Sequence, residues 1–231
     1  MPLGAHGCHH RGRRSHPYLT IPIGERTMSE KEFITCDMIR DAALKLVYRM
    51  HHEDGFVPDI IYDSLRGGAY MANVMSEYYK LIAMKEGKDP VFYAAVVARS
   101  YGKLREHSNH VDIDGWTVSP KALQKGMKVL IVDDIFDTGM TVNALVSTVM
   151  EAGIPREDIK VAVYDYKVPL YKNEEPLPIQ PDYWCRKHVL NRPEDSRWIH
   201  YTCHEFIGLT HEEVDEVFTD PEVRDILHEV L

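Results

Sequence analysis

Two adjacent aspartates, Asp133 and Asp134, close a run of four apolar residues and are followed within one short turn by Asp137, Thr138, Gly139 and Thr141, so that residues 129–141 read VLIVDDIFDTGMT. Gly139 can take backbone angles that gather successive N–H groups into a concavity, and Thr138 and Thr141 add hydroxyl donors, which suits a phosphate. The carboxylates suit something else. Beside a phosphate they are repelled unless a cation or ligand hydroxyls intervene, so the pair points to a sugar diol or Mg²⁺. Taken one by one, the same residues also fit an ordinary Asp-rich turn.

The elements around this string must position it. Its apolar run fits a strand buried on both faces of a parallel sheet, and residues 141–150 carry helical spacing at Val142, Leu145 and Val149. The chemistry therefore falls at the carboxyl end of a strand and the start of a helix, where free N–H groups receive anions. A second strand, turn and helix lies upstream. Residues 57–62 read as a buried strand and 67–81 as a helix burying Met71, Val74, Met75 and Tyr78, with Asp63-Ser-Leu-Arg-Gly-Gly68 between them. There the Arg66 guanidinium can grip phosphate oxygens bidentately. Before it, Asp37 can cap a helix with Ile39, Ala43, Leu46, Val47 and Met50 on its apolar face.

A third strand, 91–99, leads into Ser100, Tyr101 and Lys103 and a polar stretch reaching Pro120. That length without apolar periodicity suits a binding loop or lid, and a solvated β-hairpin is the alternative. Downstream, a helix stopping near Gly153 precedes a strand over 159–166 that ends in Lys167, whose ammonium can donate to a carbonyl on a bound ring.

The string 129–141 resembles the signature of type I phosphoribosyltransferases, which bind 5-phosphoribosyl pyrophosphate (PRPP), and its Asp-Thr-Gly-Met-Thr most resembles the hypoxanthine, guanine and xanthine branch. The resemblance covers residues 32–206. It implies an α/β, Rossmann-like fold with a mostly parallel central sheet, flanking helices and a small hood. It also implies roles. Asp133 and Asp134 would hold the ribose hydroxyls of PRPP and, with them, Mg²⁺; Asp137, Thr138, Gly139, Met140 and Thr141 would hold the 5′-phosphate. Asp137 would accept the proton of a purine. Leu65, Arg66, Gly67 and Gly68 match the pyrophosphate loop, for which the family implies a cis peptide between Leu65 and Arg66. Ser100, Tyr101 and Lys103 match a lid that closes over PRPP and excludes water from a reactive sugar cation. Lys167 would meet the purine 6-oxo group, Trp198 would stack on the base, and the backbone of Ile199 would read its edge. The pattern departs after Ile199: Glu205 stands one position late for the carboxylate that would bind a 2-amino group.

Length and composition set bounds. A chain of 231 residues with 44% hydrophobic residues can bury one sizeable domain, and a net charge of −9 argues against gripping a nucleic acid backbone. No run of 18 apolar residues is present, so no membrane-spanning helix is expected. Cys8, Cys36, Cys185 and Cys203 show no close C-x-x-C pairing and read as reduced thiols in a cytoplasmic protein. Residues 1–27, basic and rich in His, read as a disordered leader without a secretory apolar core; an organelle transit peptide is the other reading. Residues 28–210 form the expected catalytic domain, with a hood over 168–206. Residues 211–231 form a helical tail capped by Thr210 and Glu213, with Val214, Val217, Val223, Ile226 and Leu227 on its apolar face.

The sequence thus leads to a purine phosphoribosyltransferase that moves the phosphoribosyl group of PRPP onto hypoxanthine, xanthine or guanine with Mg²⁺, as a homodimer or homotetramer without membrane or nucleic acid partners. Two alternatives stand beside it: the same fold acting on another nucleobase or nucleotide, and a non-catalytic regulator that senses PRPP or a nucleotide.

Overall fold

The computed structural model describes residues 31–100, 111–172 and 175–231. The leader and its His-rich segment, and the lid residues Tyr101 and Lys103, lie outside the described residues.

A six-stranded sheet forms the body. Its strands are β2 (Ile60–Leu65), β3 (Phe92–Ser100), β4 (Val111–Trp116), β5 (Val129–Phe136), β6 (Ile159–Pro169) and β7 (Tyr183–Leu190), in spatial order β4-β3-β2-β5-β6-β7. All neighbours are parallel except β3 and β4. β5 sits between β2 and β6 and is buried on both faces, as a helix-covered parallel sheet requires. Helices α1 (Cys36–His52) and α2 (Ala69–Glu86) cover one face around Met50, Met75, Leu130 and Val132; α3 (Met140–Glu151) covers the other around Ile131, Leu145 and Val161.

Several boundaries differ from the sequence reading, for local reasons. Thr35, not Asp37, caps α1: its hydroxyl accepts from Met38 N at 3.3 Å, while Asp37 pairs with Arg40 in the first turn. The five expected apolar positions of α1 are all buried. β2 begins at Ile60, past Pro58, which has no N–H for a ladder, and continues through Asp63, Ser64 and Leu65, residues expected to form the turn. α2 runs on to Glu86 and ends at Gly87, whose φ of 65° is left-handed. On it Met71 and Met75 are buried as expected, whereas Val74 and Tyr78 are half-buried and Tyr79 takes the deep position. The polar stretch before Pro120 is not one long loop. Its second part is β4, an antiparallel edge strand whose Ile113 and Trp116 lean on the core, so the hairpin alternative holds there.

Residues 168–206, read from the sequence as a hood, divide between the two sheets. β6 continues to Pro169 and β7 extends the main sheet beyond it. The small sheet is instead made by β1 (Lys31–Ile34) and β8 (Trp198–Tyr201), paired in parallel with Ile34 opposite Tyr201. The tail forms α4 (His211–Val217) and α5 (Pro221–Val230), with the expected reciprocal cap between Thr210 and Glu213. Val214 and Leu227 bury against Leu209, while Ile226 stays 55% exposed. No helix among the described residues is long and apolar enough to cross a membrane.

Candidate active site

β5 ends at Phe136 and α3 begins at Met140, leaving residues 137–139 to turn the chain. Gly139 is the helix cap, with φ of 77°, and a Cβ there would stand 2.3 Å from the Phe136 ring. Both the backbone angle and the ring demand glycine. Thr138 Oγ1 accepts from Met140 N at 3.4 Å, and Asn143 braces the turn by donating to Gly139 O at 2.9 Å. The first-turn N–H groups of a helix have no intrahelical acceptor, which makes the start of α3 a place suited to an anion.

The glycines of the upstream loop let it lie directly on β5. A Cβ on Gly67 would stand 2.3 Å from the Asp134 carboxylate, and one on Gly68 would stand 2.4 Å from Val132 O. The peptide between Leu65 and Arg66 is cis, as the resemblance implied, and the Arg66 side chain is exposed. Beside the two loops, an open cavity of about 250 Å³ is lined by the end of β2 at Ser64 and Leu65 and by Asp133, Asp134, Asp137, Thr138, Gly139 and Thr141. Within it Asp133 is buried and accepts from Asp134 N at 3.0 Å. Burial, and then the charge of Asp134, push the Asp133 carboxyl well above the usual carboxylate range.

Lys167 lies inside β6 rather than beyond its end. Its buried Nζ stands 4.0 Å from Asp137 Oδ1, 3.3 Å from Ser196 Oγ and 3.4 Å from Arg197 O. It lines a second cavity of about 310 Å³ with Glu32, His188, Val189, Leu190, Asp195, Arg197 and Ile199. Ile199 is buried here, whereas Trp198 is 48% exposed and lines neither cavity. Ser100 ends β3. Glu205 turns its carboxylate to its own chain and accepts from Tyr201 N at 2.9 Å.

Sequence reasoning missed a buried polar network behind these cavities. Asp165, fully buried in β6, accepts from Arg186 Nε at 2.6 Å and lies 2.6 Å from His188 Nε2 and 2.7 Å from the Tyr201 hydroxyl. Burial alone would raise its pKa, but the hydrogen bonds from His188, Arg186 and Tyr201 outweigh it and hold Asp165 below the usual range. Arg186 also pairs with Glu32 of β1. The Tyr201 hydroxyl further lies 3.2 Å from Asp134 O, and His204 Nε2 stands 3.5 Å from Asp134 Oδ2. That contact, with one to Cys203, lifts the His204 pKa to about 10. One sequence signal was available: a lone aspartate inside the apolar run of β6 needs buried partners.

The phosphoribosyl transferase domain family matches residues 36–199 of the chain. The bifunctional protein PyrR of Geobacter sp. (strain M21) is 25% identical over 158 residues, spanning 68% of this chain and 83% of that protein. Among solved structures, the purine phosphoribosyltransferase from Pyrococcus horikoshii Ot3 superposes with a TM-score of 0.53 at 22% identity, covering 78% of this chain and 98% of that one. A hypothetical protein from Neisseria gonorrhoeae with bound ppGpp gives a TM-score of 0.53 at 18% identity, covering 89% of this chain and 99% of that one. These structural likenesses speak to the fold, and the family match spans well over half of the chain. The chain belongs to the phosphoribosyl transferase family and has its type I α/β fold.

Proposed function

We propose that the protein transfers the 5-phosphoribosyl group of PRPP to a 6-oxopurine, giving a nucleoside monophosphate and pyrophosphate. The observation that carries this reading is the meeting of two cavities at Asp137 and Lys167, 4.0 Å apart. One has the donors and carboxylates for a phosphorylated sugar. The other offers the Lys167 ammonium beside Val189, Leu190 and Ile199, within a lining that also carries Glu32, His188, Asp195 and Arg197, which suits a flat ring bearing polar edge groups such as a carbonyl.

In this reading the N–H groups of residues 137–141 hold the 5′-phosphate, and Asp133 and Asp134 hold the ribose hydroxyls. Arg66 neutralises the leaving pyrophosphate as the sugar develops oxocarbenium character. Asp137 accepts the ring proton of the purine, and Lys167 donates to its 6-oxo oxygen. The Ile199 backbone, in the acceptor cavity, contacts the base; Trp198, outside both cavities, would stack on it only after its side chain swings inward, and the segment containing Tyr101 and Lys103 would close over the donor. Mg²⁺ fits the site: a buried Asp133 beside Asp134 gains from a cation that keeps its other ligands on water and substrate oxygens. When bound, it would offset charge on the pyrophosphate.

A second reading, transfer to a different nucleobase, is favoured by Glu205, whose carboxylate is taken up by Tyr201 N and leaves a 2-amino group without that partner. Incubating the full chain with PRPP, Mg²⁺ and each of hypoxanthine, xanthine, guanine, adenine and uracil, then weighing the products, tests both. Monophosphates from 6-oxopurines support the first reading; products from uracil or adenine alone support the second; PRPP bound without product would replace both with a sensing role.

A further inference from the structure

Asp134 is held from two directions by residues that are distant in sequence. Gly67 of the arginine loop packs against its carboxylate closely enough that a methyl group there would collide with it. From the turn that follows β8, His204 Nε2 approaches Asp134 Oδ2 at 3.5 Å. The His204 ring is itself fixed: it stacks on Tyr201 at 5.6 Å between centroids and 13° between planes, and its Nδ1 lies 3.2 Å from Cys203 Sγ. Tyr201 shares its single hydroxyl proton between Asp165 Oδ2 at 2.7 Å and the backbone carbonyl of Asp134 at 3.2 Å. Asp165 is in turn clamped by Arg186 and His188, and Arg186 reaches Glu32 on β1. A continuous chain of polar contacts thus runs from the β1–β8 sheet to one carboxylate of the donor cavity.

We propose that His204 and Tyr201 are positioning residues for PRPP: by fixing the place of the Asp134 carboxylate they set donor affinity, so that seating of the small sheet over the acceptor cavity is felt at the ribose. The inference rests on the reading of the 129–141 cavity as the PRPP site. Three geometric facts favour it over a purely structural role. His204 reaches a carboxylate that lines the donor cavity rather than one in the core. The stacking holds its ring in one plane. Tyr201 acts on the backbone of the same aspartate whose side chain His204 meets. A group that fixes a binding residue without touching the reacting atoms should alter ground-state donor binding more than the chemical step.

The experiment measures PRPP binding to the full chain by calorimetry with Mg²⁺, and KM for PRPP against kcat, for the wild type, His204→Ala, His204→Gln and Tyr201→Phe. Thermal melting reports folding. Expected are a rise of about tenfold in Kd and KM for PRPP in His204→Ala, the scale of one lost donor to a carboxylate, with kcat changed by less than about threefold. His204→Gln, which keeps an N–H donor, should recover part of the loss, and Tyr201→Phe should shift the same constants in the same direction. If the wild type binds PRPP and the folded variants bind it equally well, the positioning role is wrong while the donor reading stands. If the wild type itself does not bind PRPP, the donor reading fails and this inference falls with it. Should His204→Ala not fold, the glutamine and phenylalanine variants decide by the same constants.

Discussion

Lys167 Nζ and Asp137 Oδ1 stand 4.0 Å apart, the lysine buried and the aspartate facing solvent. Each lines a different cavity, so the pair marks the boundary across which a sugar and a ring would meet. The contact comes from register. β5 and β6 run parallel with Phe136 opposite Tyr166, which brings the residues that follow each, Asp137 and Lys167, out on the same edge.

If Asp137 accepts the ring proton, Asp137→Asn should lower kcat by about 10² to 10⁴ while leaving PRPP affinity nearly unchanged. Steady-state kinetics with calorimetry of donor binding checks this. An unchanged kcat would remove Asp137 from the chemistry.

Gly67→Ala places a methyl group 2.3 Å from the Asp134 carboxylate, so the carboxylate must move. KM for PRPP should rise by about 10- to 100-fold, the scale of a displacement near 1 Å at a binding group. Gly115→Ala serves as the control, because its Cβ would meet nothing within 4 Å among the described residues. Equal donor KM in the two variants would show that the Asp134 position is irrelevant to PRPP.

Asp63 gives a pH signature. It is 2% exposed, accepts from Tyr93 Oη at 2.9 Å, and has its other oxygen without a hydrogen-bond partner among the described residues. Burial lifts its pKa from 3.8 to about 6, more than the Tyr93 hydrogen bond lowers it. Between those values the folded chain binds more protons than the unfolded one, so this group makes stability fall as pH rises from about 4 to about 6, by about 3 kcal/mol. Urea unfolding midpoints of wild type and Asp63→Asn across that range should diverge, with the variant losing this downward component. Parallel curves would show that Asp63 titrates normally.

Because Glu205 is bound to Tyr201 N, Glu205→Gln should leave the ratio of kcat/KM for guanine and hypoxanthine within about twofold, since no interaction with a 2-amino group is removed. A selective loss of guanine activity of about tenfold or more would put the carboxylate at the base.

What was legible in the sequence was contiguous. The turn from Asp133 to Thr141, the two glycines after Arg66 and the cap formed by Thr210 and Glu213 each carry their geometry within a few residues, so residue type alone was informative. Lys167 was legible as a residue at the carboxyl edge, although β6 continues past it. The rest depended on partners far along the chain. The pairing of β1 with β8 joins residues such as Ile34 and Tyr201 that no local pattern connects. β7 reads as polar because it is an edge strand with mixed exposure, which hid its place in the sheet. Asp165, Arg186 and Tyr201 come from three separate strands, so their network appears only when the sheet is assembled. β4 was concealed because Asp112 and Asp114 interrupt its apolar residues in the sequence, in a strand at the edge of the sheet.

The most direct test of the two-cavity account is a crystal structure of the full chain with inosine 5′-monophosphate. The account predicts the phosphate on the backbone N–H groups of residues 137–141, the ribose hydroxyls at Asp133 and Asp134, and the 6-oxo oxygen within hydrogen-bond reach of Lys167 Nζ. A nucleotide bound with its phosphate among His188, Arg197 and Lys167, or with its base away from Lys167, would contradict it.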